Sequence, residues 1–281
     1  MHVDFLGYGF GQAGTDGSTQ SGPETVKNSE FIQDLNFQFI WKDIVESKQQ
    51  SSTIEAMYDC YQRLKQSLNE CTNEFCVFGG DHTSAVASVQ AAKSKYDNLK
   101  IMWIDAHMDS HNHHSSISKN IHGMSLAILL GHIDSKLELF RQPELALSPS
   151  DVCIFGARSY EPEEKSLVDK LGVNVVYMDD INSIGIKDAW HKALTSLNLS
   201  NTDKLMFSID MDAFDPKYAP AVTVPEPGGI DALEFCKVIA DSKSLWKPNY
   251  VGCEIVEFSP VNDQNNKTEQ LIIKILNTIF A

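Results

Sequence analysis

The chain has 281 residues, 42% hydrophobic and 22% charged, the balance of a soluble globular protein long enough to bury a sizeable core. Its net charge of −15 argues against a non-specific nucleic-acid binder, which needs surplus Lys and Arg, and mildly favours a small cationic ligand through long-range steering. No apolar run reaches the ~18 residues of a membrane helix, and the six cysteines form neither a Cys-x-x-Cys pair nor a disulfide framework.

Short β-rich runs alternate with longer helical ones. The opening MHVDFLGYGFGQAG has no basic n-region or long apolar h-region, so with the unpaired thiols it predicts a cytoplasmic protein with no membrane partner. Val3–Gly7 reads as a strand. Gly11–Gly22, rich in Gly, Ser and Thr, reads as a loop at that strand's carboxyl end, and Asn36–Ile40 as a weak strand. Thr53–Leu68 places Ile54, Met57, Tyr58, Tyr61 and Leu64 at helical spacing. There follow a strand at Phe75–Phe78, a helix at Thr83–Lys93, a strand at Lys100–Ile104 and a His/Ser-rich loop at His111–Asn120. The strands Asp151–Phe155, Val173–Tyr177, Lys204–Ile209 and Tyr250–Cys253 then alternate with helices at Glu161–Leu171, Lys187–Leu197, Asp231–Ala240 and Thr268–Phe280. Asp231, just after Gly228-Gly229, suits a helix N-cap. Cys76, Cys153 and Cys253 lie in apolar runs and read as core. This order predicts an α/β fold, one domain over residues 1–281, with a parallel sheet flanked by helices on both faces. Ligands are expected at the carboxyl ends of its strands.

Three of those ends carry unusual residues: Gly79-Gly80-Asp81-His82-Thr83, Trp103-Ile104-Asp105-Ala106-His107-Met108-Asp109 and Ser208-Ile209-Asp210-Met211-Asp212. A buried carboxylate needs a cation or a hydrogen-bonded partner. Asp105, His107 and Asp109 stand at i, i+2 and i+4, which share one face of an extended chain, as do Asp210 and Asp212. If the two strands are neighbours, four carboxylates and an imidazole converge, and His82 adds a sixth ligand. Two divalent ions balance four negative charges where one does not. Mixed carboxylate and imidazole donors suit Mn²⁺ or another first-row ion. A pair ~3.5 Å apart lowers the pKa of a bridging water and creates hydroxide at neutral pH. One Asp-x-Asp after a strand is commonly a solvated turn; the joint occurrence is what points to a metal centre.

In this order the three segments resemble the metal-binding signatures of the arginase and agmatinase (ureohydrolase) family, bacterial arginases above all. The resemblance runs from Ser21-Gly22-Pro23 to Glu257. It implies a parallel sheet of about eight strands, two Mn²⁺ ions per chain (or Co²⁺ or another first-row ion), and a trimer or hexamer of like chains. It also implies cleavage of a small cationic guanidino substrate to release urea. Carried over by motif, His82, Asp105, Asp109 and Asp210 would hold one metal and Asp105, His107, Asp210 and Asp212 the other, with Asp105 and Asp210 bridging. Asp109 would orient the attacking hydroxide. Ile121-His122-Gly123-Met124 resembles the segment whose His shuttles protons, a task suited to a near-neutral pKa. Glu254-Ile255-Val256-Glu257 resembles the segment whose last Glu, here Glu257, grips the guanidinium through paired hydrogen bonds.

The substrate end follows the same resemblance. Ser118 falls where arginases contact the substrate α-carboxylate, and His111 where many have Asn. Asn120 and Ser116 occupy neighbouring loop positions. Glu161, in Gly156-Ala157-Arg158-Ser159-Tyr160-Glu161, stands in place of the usual Asp that engages the α-amino group. Hydrolysis of L-arginine to L-ornithine and urea is therefore expected. Two departures touch the pocket wall. Val222-Thr223-Val224-Pro225 replaces the usual Thr-Gly-Thr-Pro, and Ser259-Pro260 replaces Asn-Pro. Formimidoylglutamase and agmatinase remain alternatives, as does a non-catalytic metal-stabilised scaffold. A single-zinc deacetylase of similar architecture fits six ligands less well.

Overall fold

Side chains alternate across a sheet, so a strand that is apolar at every position must be covered on both faces. That is the arrangement found. The computed structural model describes residues 2–48 and 52–281. Among them eight strands form one sheet: Val3–Tyr8 (β1), Phe39–Val45 (β2), Phe75–Gly79 (β3), Leu99–Ile104 (β4), Val152–Ala157 (β5), Asn174–Tyr177 (β6), Lys204–Asp210 (β7) and Tyr250–Val256 (β8). All pair in parallel, in the order β2-β1-β3-β8-β7-β4-β5-β6. Phe5, Phe78, Ile104, Phe155 and Phe207 enter one apolar cluster. Their chain neighbours Leu6, Val77, Trp103, Ile154 and Met206 enter the other. Helices Ile186–Ser196, Ala232–Asp241 and Lys267–Phe280 close the first cluster, and Thr53–Asn69 and Ser84–Lys95 the second.

Local chemistry sets the helix ends. Ser52 accepts a hydrogen bond from the Glu55 amide at the start of Thr53–Asn69. Glu161 and Glu164 form a capping box around Pro162, and Gly172 ends that helix at φ 76°. The weak strand expected near Asn36–Ile40 lies at Phe39–Val45. It is an edge strand whose exposure alternates, so its apolar signal is half that of an interior strand. Gly22–Lys27, Ser125–Leu129, Met178–Ile184 and Lys243–Trp246 are helices absent from the sequence reading. Each is too short to display a 3.6-residue period. All six cysteines are buried and free. Among the described residues no helix is long and apolar enough to cross a membrane.

The topology places five carboxyl ends side by side. From β3 the chain reaches β4 across the positions that β8 and β7 later fill. The order turns at β4, with β5 and β6 on one side of it and β7 and β8 on the other, and such a reversal opens a crevice above the strand ends. Ile104 is in register with Ile209 and with Phe155, and Asp210 with Val256. The loops after β3, β8, β7, β4 and β5 therefore rise at one level. Gly80 is required there by close approach: a Cβ would lie 2.0 Å from the Phe10 carbonyl oxygen, which itself accepts the Asp81 amide.

Candidate active site

β4 and β7 are adjacent, so Asp105 and Asp210 emerge next to each other. The expected extended face does not continue beyond them. β4 ends at Ile104, and residues 211–213 form a 3₁₀ turn. Each leading aspartate turns its own chain: Asp105 Oδ1 accepts the His107 amide at 2.7 Å and Asp210 Oδ1 the Asp212 amide at 2.8 Å. Such side-chain turns compete with strand extension. Asp109 sits in the left-handed region at φ 45° and Glu257 at φ 62°. For non-glycine residues these are uncommon and belong with functional sites. The ligand types thus meet through tight turns, which aim them at one another.

His82 Nδ1 lies 3.2 Å from Asp105 Oδ2, 3.0 Å from Asp109 Oδ2 and 3.1 Å from Asp210 Oδ2. It is buried and makes no hydrogen bond. A second group joins it through Asp105: His107 Nδ1 stands 3.5 Å from Asp105 Oδ1 and 3.0 Å from Asp212 Oδ2. Asp105, 0% exposed, therefore offers one oxygen to each imidazole. Asp210 is placed beside His82. Burial, with the Asp105 charge next, raises the Asp109 pKa to about 6. Burial also raises Asp210 and Asp212, each further raised by neighbouring carboxylates. For Asp105 burial opposes, but the close His107 and His82 imidazoles hold it below the usual carboxylate range. The same carboxylates raise both imidazoles well above their ordinary value against the effect of burial. Four aspartates this close in a buried site demand compensating cations. The orphaned Nδ1 surrounded by carboxylate oxygens, and the hard oxygen and imidazole donors, fit divalent metal ions.

The supports of this cluster come from the strands. Trp103 stacks on His82 with ring centroids 4.2 Å apart at 9°, and its Nε1 donates to Asp105 Oδ2 at 2.9 Å. His82 Nε2 lies 2.8 Å from Ser208 Oγ, which donates to the fully buried Glu254 at 2.8 Å. Ser208 has one proton to give, so it accepts from His82 Nε2, and Nδ1 is the nitrogen turned to the aspartates.

A cavity of about 540 Å³ opens over the cluster, lined among others by Asp109, His122, Glu257, His111, Ser118, Asn120, Glu161 and Glu226. Glu257 Oε1 accepts the His82 amide at 2.9 Å and lies 2.9 Å from His122 Nδ1. Burial opposes it, but the Glu257 charge pushes the His122 pKa up to about 9. His111 Nε2 lies 2.7 Å from Glu161 Oε2 and 3.3 Å from Glu164 Oε2. Ser116 does not line the cavity: it is buried, and its hydroxyl accepts the Lys119 amide at 2.9 Å to hold the loop's turn.

The signature residues thus gather at or beneath one cavity, on the expected parallel sheet, here of eight strands. A sequence model of the Arginase family matches residues 5–281.

The chain belongs to that family.

It is 29% identical over 254 residues to an arginase of Bacillus subtilis, covering 89% of this chain and 84% of that one. It is 36% identical over 212 residues to an arginase of Plasmodium berghei, covering 74% of this chain and 58% of that one. The crystal structure of arginase from Bacillus subtilis superposes with a TM-score of 0.88 at 26% identity, covering 100% of this chain and 99% of that one. This member of the arginase family is a hydrolase acting on the C–N bonds of linear amidines. Membership implies a binuclear metal site, and two linked groups of His and Asp are present to hold one.

Sequence reasoning missed several residues of this arginase-family site. Glu164, 3% exposed, accepts the Ser110 amide and faces His111. Glu226 Oε1 lies 3.6 Å from His107 Nε2. Arg158 donates to the carbonyl oxygens of Asp212 and Glu226. Thr223, inside the departure from Thr-Gly-Thr-Pro, donates to Glu257 Oε2 at 3.4 Å, so that loop still supplies a hydroxyl to the carboxylate. Arg158 and Thr223 stand inside segments already quoted for their resemblance, and nothing local marks Glu164 or Glu226.

Proposed function

We propose that this enzyme hydrolyses L-arginine to L-ornithine and urea with two Mn²⁺ ions, held by His82, Asp105, His107, Asp109, Asp210 and Asp212. The supporting observation is the cavity lining. Glu257 lines it beside His82, and His111, Ser118, Asn120 and Glu161 line it too. Among the described residues the lining includes no Lys or Arg. A guanidinium docks on the Glu257 carboxylate through charge-assisted hydrogen bonds. Divalent ions bound at the aspartate cluster would lower the pKa of water and supply a nucleophile at neutral pH. Asp109 orients the water that adds to the guanidinium carbon. The bond from that carbon to the chain nitrogen then breaks, and His122, kept protonated by Glu257, delivers a proton to the leaving nitrogen. Glu161 receives the substrate α-ammonium, and the Ser118 hydroxyl and Asn120 amide donate to its α-carboxylate.

Agmatine is the second reading, favoured by the acidic wall. It differs from arginine only by the α-carboxylate. Formimidoylglutamate carries two carboxylates and would meet no Lys or Arg among the described residues of this lining, where the His111 and His122 imidazoles are already paired with Glu161 and Glu257. A panel of arginine, agmatine, formimidoylglutamate, guanidinobutyrate and guanidine on Mn²⁺-loaded protein tests the assignment. Arginine is expected to give the highest kcat/KM. A preference for agmatine would overturn the arginase assignment and leave the metal chemistry standing. Activity on formimidoylglutamate alone would move the chain to that branch.

A further inference from the structure

The two nitrogens of His107 face different surroundings. Nδ1 points at Asp105 and Asp212, the side on which it would ligate a metal. An imidazole that ligates through Nδ1 is neutral and keeps its proton on Nε2. That nitrogen faces Glu226, with Oε1 at 3.6 Å. Glu226 is not free to wander. Oε1 accepts from Ser159 Oγ at 2.9 Å, and its carbonyl oxygen accepts from Arg158 Nη2 at 2.7 Å. The same Nη2 donates to the Asp212 carbonyl at 2.8 Å. One guanidinium therefore ties the loop carrying Glu226 to the aspartate on the opposite side of the His107 ring. Pro225 and Pro227 flank Glu226 and restrict the backbone around it.

We propose that Glu226 is the positioning residue for His107: its carboxylate takes the Nε2–H, sets the ring's tautomer and orientation, and so tightens the metal position that Nδ1 faces. At 3.6 Å the contact is longer than a hydrogen bond. The Glu226 side chain is 27% exposed, and a shift of roughly half an ångström at Oε1 closes the contact to hydrogen-bond length without releasing the backbone that Arg158 holds. A carboxylate behind a ligating imidazole raises its basicity and holds its plane, and removing one typically costs 10–100-fold in metal affinity. This assignment deepens the metal-centre reading above and rests on it.

The test is a Mn²⁺ titration of the metal-free full-length protein, read by loss of the free-ion EPR signal. It compares wild type, Glu226→Ala, Glu226→Gln, His107→Ala and the Glu226→Ala/His107→Ala pair. Wild type is expected to bind two ions. Glu226→Ala should weaken one of them about 10–100-fold and leave the other within a few fold. Glu226→Gln keeps an acceptor oxygen and should recover part of the loss. With His107 already removed, Glu226→Ala should change nothing more, because the two act as a unit. Two unchanged affinities in Glu226→Ala would overturn the proposal and make Glu226 a cavity-wall residue. Equal losses with and without His107 would overturn it as well. Fewer than two ions on wild type would bring down the metal-centre reading itself, and this inference with it.

Discussion

His122 Nδ1 and Glu257 Oε1 are 2.9 Å apart, although the two residues enter from different loops, 135 positions apart in the chain. The same oxygen accepts the His82 amide, so the His122 ring, the Glu257 carboxylate and the loop carrying His82 are physically connected. His122→Asn should keep both metal ions and lower kcat about 10²-fold or more, with KM changed only a few fold. Steady-state kinetics with elemental analysis of the same preparation checks this. Loss of metal from the variant would show His122 to be part of the metal centre and not a proton carrier.

Trp103 separates packing from polarity at the cluster. Phe in its place keeps a ring on His82 and removes the Nε1–H that holds Asp105 Oδ2. Trp103→Phe should stay folded, lose roughly 1 kcal/mol in the metal-free protein and bind metal about tenfold more weakly. Urea unfolding and Mn²⁺ titration read the two effects separately. An unchanged metal affinity would reduce Trp103 to a core residue.

His111 should confer a pH dependence on stability. Burial opposes it, but Glu164 and Glu161 push its pKa up from 6.5 to about 9. A folded-state pKa above the unfolded one means the stabilisation is complete below about pH 6.5 and is lost as pH rises through about 9. With screening at the half-exposed Glu161, the effect should be about 1–2 kcal/mol. Unfolding midpoints at pH 6.5 and 9.5 should fall in wild type and change less in His111→Asn. Equal slopes in the two proteins would remove His111 as the cause.

The donor set of the cluster was legible because carboxylates and imidazoles recur together at the ends of three apolar strands. Interior strands announced themselves by unbroken apolar runs, and long helices by their period. The edge strand Phe39–Val45 and the shortest helices left weaker marks, since a half-exposed strand or a single turn carries little pattern. Glu164 and Glu226 looked like ordinary surface carboxylates. Only their partners, His111 at 3.3 Å and His107 at 3.6 Å, distinguish them.

By itself the sequence determined the α/β order, the donor set at three strand ends and, through the motifs, the family. All three are written in short stretches of chain, in hydrophobic spacing and residue type. The tertiary structure alone decided that β4 and β7 are neighbours, that Asp105 offers one oxygen to each imidazole, and that tight turns and not an extended face aim the ligands. It alone joined Arg158, Asp212 and Glu226 around His107. The reason is that strand adjacency depends on crossovers between distant segments. A contact between distant loops costs the sequence only one polar residue at each end, which no local pattern can set apart from a solvated one.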